Sequence, residues 1–242
     1  SAKSKSNNKP QRPCPDDASN ETPLLELRGV SRRYPVGAKK LFGEQDYVHA
    51  VTDVDLKIHQ GETLGLVGES GSGKTTIGRM IAGLERPDDG ELFYRGKPLK
   101  NINDPQRPDL RREVQMVFQD PFASLNPRHS VYEIIAGPIR RHHIVPPEDT
   151  EKEVNRPLEL VGLASDVKYR FPHEFSGGQL QRIGIARALS VKPSLIVADE
   201  PVSALDVSIQ AQILNLFLEL QKELDLTYLF IGHGLPAVNY VS

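Results

Sequence analysis

Eight consecutive residues constrain this chain more than any other stretch. Gly68-Glu69-Ser70-Gly71-Ser72-Gly73-Lys74-Thr75 has the spacing G-x-x-x-x-G-K-[ST] of a phosphate-binding loop. Ahead of it Thr63-Leu64-Gly65-Leu66-Val67 is short and apolar enough for a buried strand, and behind it Thr76 to Leu84 places apolar residues at helical spacing. Glycines let a backbone curl round an anion without a Cβ clash, so that successive N–H groups and the helix N-terminus face phosphate oxygens. In such a loop the position of Lys74 reaches the β- and γ-phosphates and the Thr75 hydroxyl ligates Mg²⁺. The plainer alternative is a glycine-rich turn before an ordinary helix.

A chain of 242 residues is long enough for a full core, as one α/β unit with an insertion. Hydrophobic residues are 38% and charged residues 26%, ordinary for a soluble protein, and a formal net charge of −2 gives no overall pull toward nucleic acid or anionic lipid. No apolar run approaches the roughly 20 residues of a membrane helix, and no signal peptide is recognisable. One cysteine, Cys14, excludes an internal disulfide framework and suits a reducing compartment. It lies in residues 1–22, rich in Ser, Lys, Asn, Pro and Asp, which are expected to form a mobile tail.

From Leu24 the pattern changes. Leu24 to Val30 reads as a first strand with Tyr34 beyond it, Val36 to Asp46 as a loop, and Val48 to Ile58 as a second strand. Tyr34 either stacks on a purine base or serves as a strand-end core aromatic. Pro87-Asp88-Asp89-Gly90 is a turn, Glu91 to Tyr94 resumes a strand, and Lys97 to Arg112 is polar and broken by proline. Val114 to Phe118 is a candidate core strand that ends in Gln119, where a polar amide is placed to face a ligand.

Between Pro121 and about Arg187 helical periodicity replaces strand signals, which predicts a helical insertion between two strands of one sheet. His142 and His143 are adjacent and so face different sides of a helix, and neither they nor His173 have metal-ligand spacing. With Arg140 and Arg141 the pair reads as a solvated basic surface. Ser176-Gly177-Gly178-Gln179 opens the run Leu180 to Leu189, which is either a plain capped helix or a second anion-ready helix end. Ser194 to Glu200 is a buried strand with two carboxylates at its end. Asp199 there suits Mg²⁺ and Glu200 suits a general base for water, the alternative being a capping acid before Pro201. Ser203-Ala204-Leu205-Asp206 leads into a helix from about Ser208 to Leu224, then a strand from Tyr228 to Ile231 and His233.

The ordered set Gly68–Thr75, Gln119, Ser176–Gln179, Asp199-Glu200, Asp206 and His233 resembles the nucleotide-binding subunit of ATP-binding cassette (ABC) transporters, from about Leu24 to Ser242. Gln119-Asp120-Pro121, Ser124-Leu125-Asn126-Pro127-Arg128 and Glu200 through Ser208 look like the dipeptide and oligopeptide importer branch. The resemblance implies an α/β fold: a P-loop NTPase (RecA-like) core, an antiparallel β subdomain at the N-terminus and an inserted α-helical subdomain at about 121–187, within a domain at 23–242. It implies ATP and Mg²⁺ as ligands and a head-to-tail dimer of two such subunits. Gly68, Ser70, Gly71, Ser72, Gly73, Lys74, Thr75 and Thr76 of one copy would hold the nucleotide, together with Ser176, Gly177, Gly178 and Gln179 across the dimer, and Asp206 is a further nucleotide-binding residue. Tyr34 becomes the base-stacking aromatic, with Tyr47 and His49 as competitors. Lys74, Gln119, Glu200 and His233 take catalytic roles, and Thr75, Gln119 and Asp199 face the metal.

The same resemblance implies permease subunits as partners at the cytoplasmic face of the membrane, docked on about Asp120 to Arg140, an indirect partnership with a solute-binding protein, and no nucleic acid. Two residues depart from the family pattern: Gly234 stands where aspartate usually follows the switch histidine, and Phe175 replaces the commoner leucine. The family also continues beyond the point where this sequence ends at Ser242. Two other functions share the ATP motifs. One is a cassette acting on ribosomes or DNA, which would be expected to carry tandem cassettes or a coiled-coil insertion. The other is a regulatory cassette with impaired hydrolysis, supported by Gly234.

Overall fold

The computed structural model describes residues 22–37, 45–99, 108–232 and 240. In chain order they form β1 (Leu25–Pro35), β2 (Tyr47–Ile58), β3 (Thr63–Val67), α1 (Lys74–Ile81), β4 (Asp89–Tyr94) and β5 (Lys97–Pro98). Then follow α2 (Pro108–Glu113), β6 (Val114–Val117), α3 (Pro121–Ser124), α4 (Val131–Arg141), α5 (Thr150–Leu160), α6 (Gly177–Leu189), β7 (Leu195–Asp199), α7 (Val207–Leu224) and β8 (Thr227–Gly232).

The strands separate into two sheets according to how they bury their faces. β1, β2, β4 and β5 form an antiparallel sheet in the order β2-β1-β4-β5, and in β2 only Val51 and Ile58 are buried. One face of that sheet meets the core and the other meets water. β3, β8, β7 and β6 form a parallel sheet in that order, and β7 and β8 are buried at every position. Such continuous apolar runs are what a sheet covered on both sides requires. Alternate residues therefore enter different cores. Leu195, Val197, Leu229 and Ile231 pack with α1 and the antiparallel sheet, whereas Ile196, Ala198, Tyr228 and Phe230 pack with α4 to α7.

Several elements differ in extent from the sequence expectation. β1 runs on past Val30 to Pro35, so Tyr34 lies inside the strand rather than after it. Register shifts near Val30 and Arg32, with Gly29 at φ 57° and Asp53 at φ 49°, carry the ladder past Val30, where the sequence reading ends the strand. Of the expected loop from Val36 to Asp46, the described ends are joined by the Val36 N–H donating to Asp46 O at 2.8 Å. α2 and the two-residue β5 were not anticipated in a stretch that reads only as polar and proline-broken. Between β6 and β7 the regular elements of the described chain are all helical, with 3₁₀ turns at Pro147–Asp149, Ser165–Tyr169 and Pro172–Glu174. Cys14 and the expected tail up to residue 21, and also His233 and Gly234, lie outside the described residues.

Candidate functional site

The phosphate-loop motif joins β3 to α1, and its backbone tolerates only glycine at critical points. Gly71 and Gly73 have φ of 80° and 87°. A Cβ on Gly73 would lie 2.1 Å from the carbonyl oxygen of Ala50, so β2 presses directly on the loop. Gly73 is also the N-cap of α1 and offers no side chain to the first turn, whose N–H groups are left for an external acceptor. Lys74 is 6% exposed, yet no carboxylate lies within ion-pair distance of it among the described residues. Its Nζ donates to Gly68 O at 2.7 Å, Glu69 O at 2.6 Å and Ser72 Oγ at 3.3 Å. A buried cation held only by neutral acceptors beside an uncapped helix end fits a phosphate chain as its missing counter-charge.

The carboxyl ends of the parallel strands bring the second group together. The Thr75 hydroxyl donates to Asp199 Oδ1 at 3.0 Å across 124 residues of sequence. Asp199 ends β7 at 5% exposure; burial, and then the charge of Glu200, raise its pKa above the ordinary 3.8 against the lowering effect of the Thr75 hydrogen bond. Glu200 follows at 7% exposure with φ 46°, and its N–H donates to Ile231 O at 2.9 Å. That left-handed backbone turns its carboxylate to meet Gln119, whose Nε2 donates to Glu200 Oε2 at 3.0 Å from just beyond β6. Thr75, Asp199 and the free amide oxygen of Gln119 are hard oxygen donors, and the unfavourably buried Asp199 carboxylate is the group a divalent cation would relieve. The set fits Mg²⁺, which takes one or two carboxylates and completes its shell with water and phosphate oxygens. No cluster of three or more His, Cys, Asp or Glu that could hold a metal occurs among the described residues, in keeping with so sparse a donor set.

The remaining sequence candidates are arranged differently. Ser176 and Gln179 form a capping box on α6: Gln179 N donates to Ser176 Oγ at 3.4 Å and Ser176 N to Gln179 Oε1 at 3.0 Å. This helix end therefore bonds to itself and not to the phosphate loop of the same chain, and the N–H groups of Gly177 and Gly178 stay outside the box. Asp206 takes the N-cap position of α7 with its exposed side chain making no cap bond. Tyr34 pairs with Val48 in the sheet, donates its hydroxyl to Glu85, and carries the Arg32 guanidinium 4.9 Å above its ring. Tyr47 is 48% exposed with the Arg33 guanidinium 5.5 Å from its ring, and His49, also exposed, pairs with Arg33. His142 keeps a lowered pKa through partial burial and then the charges of Arg141, Arg112, Arg111 and His143. The anchoring of Tyr34 by Glu85 and the left-handed turn at Glu200 left no local signal in the sequence, because both depend on partners far along the chain.

The comparisons agree with this geometry. A family profile described as "ABC transporter" matches residues 51–203. The oligopeptide transport ATP-binding protein AppF of Bacillus subtilis is 48% identical over 226 residues, which cover 93% of this chain and 69% of that protein. The glutathione import ATP-binding protein GsiA of Escherichia coli is 46% identical over 220 residues, covering 91% of this chain and 35% of that protein. Among solved structures, the dimeric post-hydrolysis state of the ATP-binding cassette MJ0796 bound to ADP and Pi superposes with a TM-score of 0.78 at 28% identity, over 90% of this chain and 91% of that one. With the fold, the loop and the profile in agreement, this chain belongs to the ABC transporter family of ATP-binding proteins.

Proposed function

We propose that the chain is the ATP-hydrolysing subunit of an importer for oligopeptides or related small solutes, working as one of a pair of cassettes against membrane-embedded permease subunits. The observation that carries the catalytic part is the convergence of Lys74, the Thr75–Asp199 hydrogen bond and the Gln119–Glu200 hydrogen bond at one end of the parallel sheet. The transport part is supported by the names of the relatives, among them oligopeptide and glutathione import proteins. On this reading residues 23–242 form the ATP-binding domain, with a helical subdomain at about 121–187.

The chain's own residues account for the steps. Lys74 exchanges loop carbonyls for β- and γ-phosphate oxygens, and the N–H groups from Gly71 to Thr76 close round the chain of phosphates with Gly68, Ser70 and Ser72. Thr75, Asp199 and Gln119 would hold Mg²⁺, which when bound would supply positive charge against the phosphates. Glu200, with its carboxylate oriented by Gln119, takes a proton from water as the water oxygen bonds to the γ-phosphorus and the bond to the β–γ bridging oxygen breaks. His233 is assigned to the terminal phosphate. The Ser176–Gln179 helix end and Asp206 serve the partner copy's nucleotide, with the N–H groups of Gly177 and Gly178 as donors. Tyr34 stacks on the base. No described helix is long and apolar enough to cross a membrane; on the proposed role the chain sits at the cytoplasmic membrane face, docked on the permease at about Asp120 to Arg140.

The test is Mg²⁺-dependent phosphate release from the assembled transporter, with nucleotide binding measured alongside. Lys74→Ala is expected to lose binding while the fold is retained. Glu200→Gln is expected to keep binding and to lower turnover at least about 100-fold, as removal of a positioned general base does. Unchanged turnover in Lys74→Ala, or a native chain no faster than Glu200→Gln, overturns the reading.

A further inference from the structure

Arg187 lies in the last turn of α6, with its guanidinium largely withdrawn from water. Among the described residues no carboxylate pairs with it, and burial lowers its pKa from the ordinary 12.5. Burying an uncompensated guanidinium is costly, so its two contacts are informative. Nη1 donates to the carbonyl oxygen of Ser124 at 2.7 Å, and the guanidinium lies 6.0 Å from the centroid of the Phe118 ring. Phe118 directly precedes Gln119, and Ser124 ends α3, the single turn that begins two residues after Gln119. That turn is held at its start by the Asp120 carboxylate, which accepts from Phe122 N at 2.8 Å and Ala123 N at 3.2 Å. Its end carries orphan carbonyls, and a cation there is favoured by the helix dipole as well as by the hydrogen bond.

We propose that Arg187 is a positioning residue for hydrolysis: it ties the C-terminal turn of α6 to the segment bearing Gln119, and so keeps the Gln119 amide on Glu200. The two ends of α6 then have linked duties. The first turn carries Ser176–Gln179, and the last turn sets the amide beside the carboxylate that activates water. A displacement of α6 is transmitted to Gln119 through one hydrogen bond and one aromatic face. This rests on the roles given above to Gln119 and Glu200, and the experiment separates the two.

In the assembled transporter, Arg187→Met is expected to lower kcat about five- to tenfold with KM for ATP within about twofold, and Arg187→Lys, which keeps the charge and one donor, to lie between. In a Gln119→Ala background the Arg187 substitutions are expected to cost less than about twofold further, since the group they act through is gone. If Gln119→Ala lowers kcat and the Arg187 effects multiply with it in full, the positioning role is wrong while the reading of Gln119 stands. If Gln119→Ala leaves kcat unchanged, both fall. Should Arg187→Met melt at the growth temperature, the same cycle run with Arg187→Lys decides the matter by the same criterion.

Discussion

At the scale of single residues, function here means tolerating groups that a folding-optimised chain would discard. Asp199 is such a group. Its folded-state pKa lies above that of the unfolded chain because burial and the neighbouring Glu200 disfavour the charge. The raised value makes the ionised form a cost to the native state at neutral pH, and that cost fades as the pH falls through the folded-state value toward the ordinary 3.8. Asp199→Asn keeps an oxygen to accept from Thr75. In the absence of nucleotide it is expected to raise Tm at pH 7 by about 2–4 °C, equivalent to about 1 kcal/mol in a chain of this size. The gain should shrink as the pH is lowered; thermal melting at a series of pH values, with a gain that instead grows toward acid, would contradict the assignment. The strand-end pair Asp199-Glu200 is legible in the sequence because carboxylates after an apolar run are conspicuous. The distinct surroundings of the two are not, since they follow from φ 46° at Glu200 and from Gln119, 81 residues earlier.

Among the elements, α6 shows how one sequence feature serves two ends. Two glycines after Ser176 read as a helix start made for close approach of an anion. In the fold they also face α7: a Cβ on Gly178 would lie 2.6 Å from Ile209 Cγ2, and one on Gly177 3.4 Å from Leu205 Cδ2. Gly178→Ala is therefore expected to destabilise the chain by about 1–3 kcal/mol through overpacking. Gly184, in the same helix, would meet nothing within 4 Å. Gly184→Ala should be neutral or stabilising by up to about 1 kcal/mol, through helix propensity. Denaturant midpoints of the two variants make the comparison, and equal shifts would show that the α6–α7 contact is looser than drawn. β1 illustrates the opposite difficulty. Its apolar pattern gives out after Val30, where the sequence reading ends the strand, while cross-strand pairing to β2 carries it on to Pro35.

For the whole molecule, the decisive junction is between the two sheets, where Ala50 of the antiparallel sheet closes against Gly73 of the loop that leaves the parallel one. The net charge of −2 gives no overall pull toward anionic lipid, and no helix among the described residues is long and apolar enough to cross a membrane. If the proposed permease partnership holds, salt-washed membranes are expected to retain the chain when permease subunits are co-expressed, and vesicles of anionic lipid alone to retain almost none. Comparable retention by the bare vesicles would remove the permease as the anchor. The sequence alone determined the loop, the order of the motifs, the buried core strands and the helical stretch between them, because each is written in local spacing: glycines at fixed offsets, apolar runs, a period of about 3.6. Only the tertiary structure decided that Thr75 meets Asp199, that Gln119 rests on Glu200, that Tyr34 lies within a strand and is held by Glu85, and that Arg187 grips the turn after Gln119. Those pairings span from 51 to 124 residues, and contacts at such separation are selected by how the sheets and helices pack, a property no local window of sequence contains.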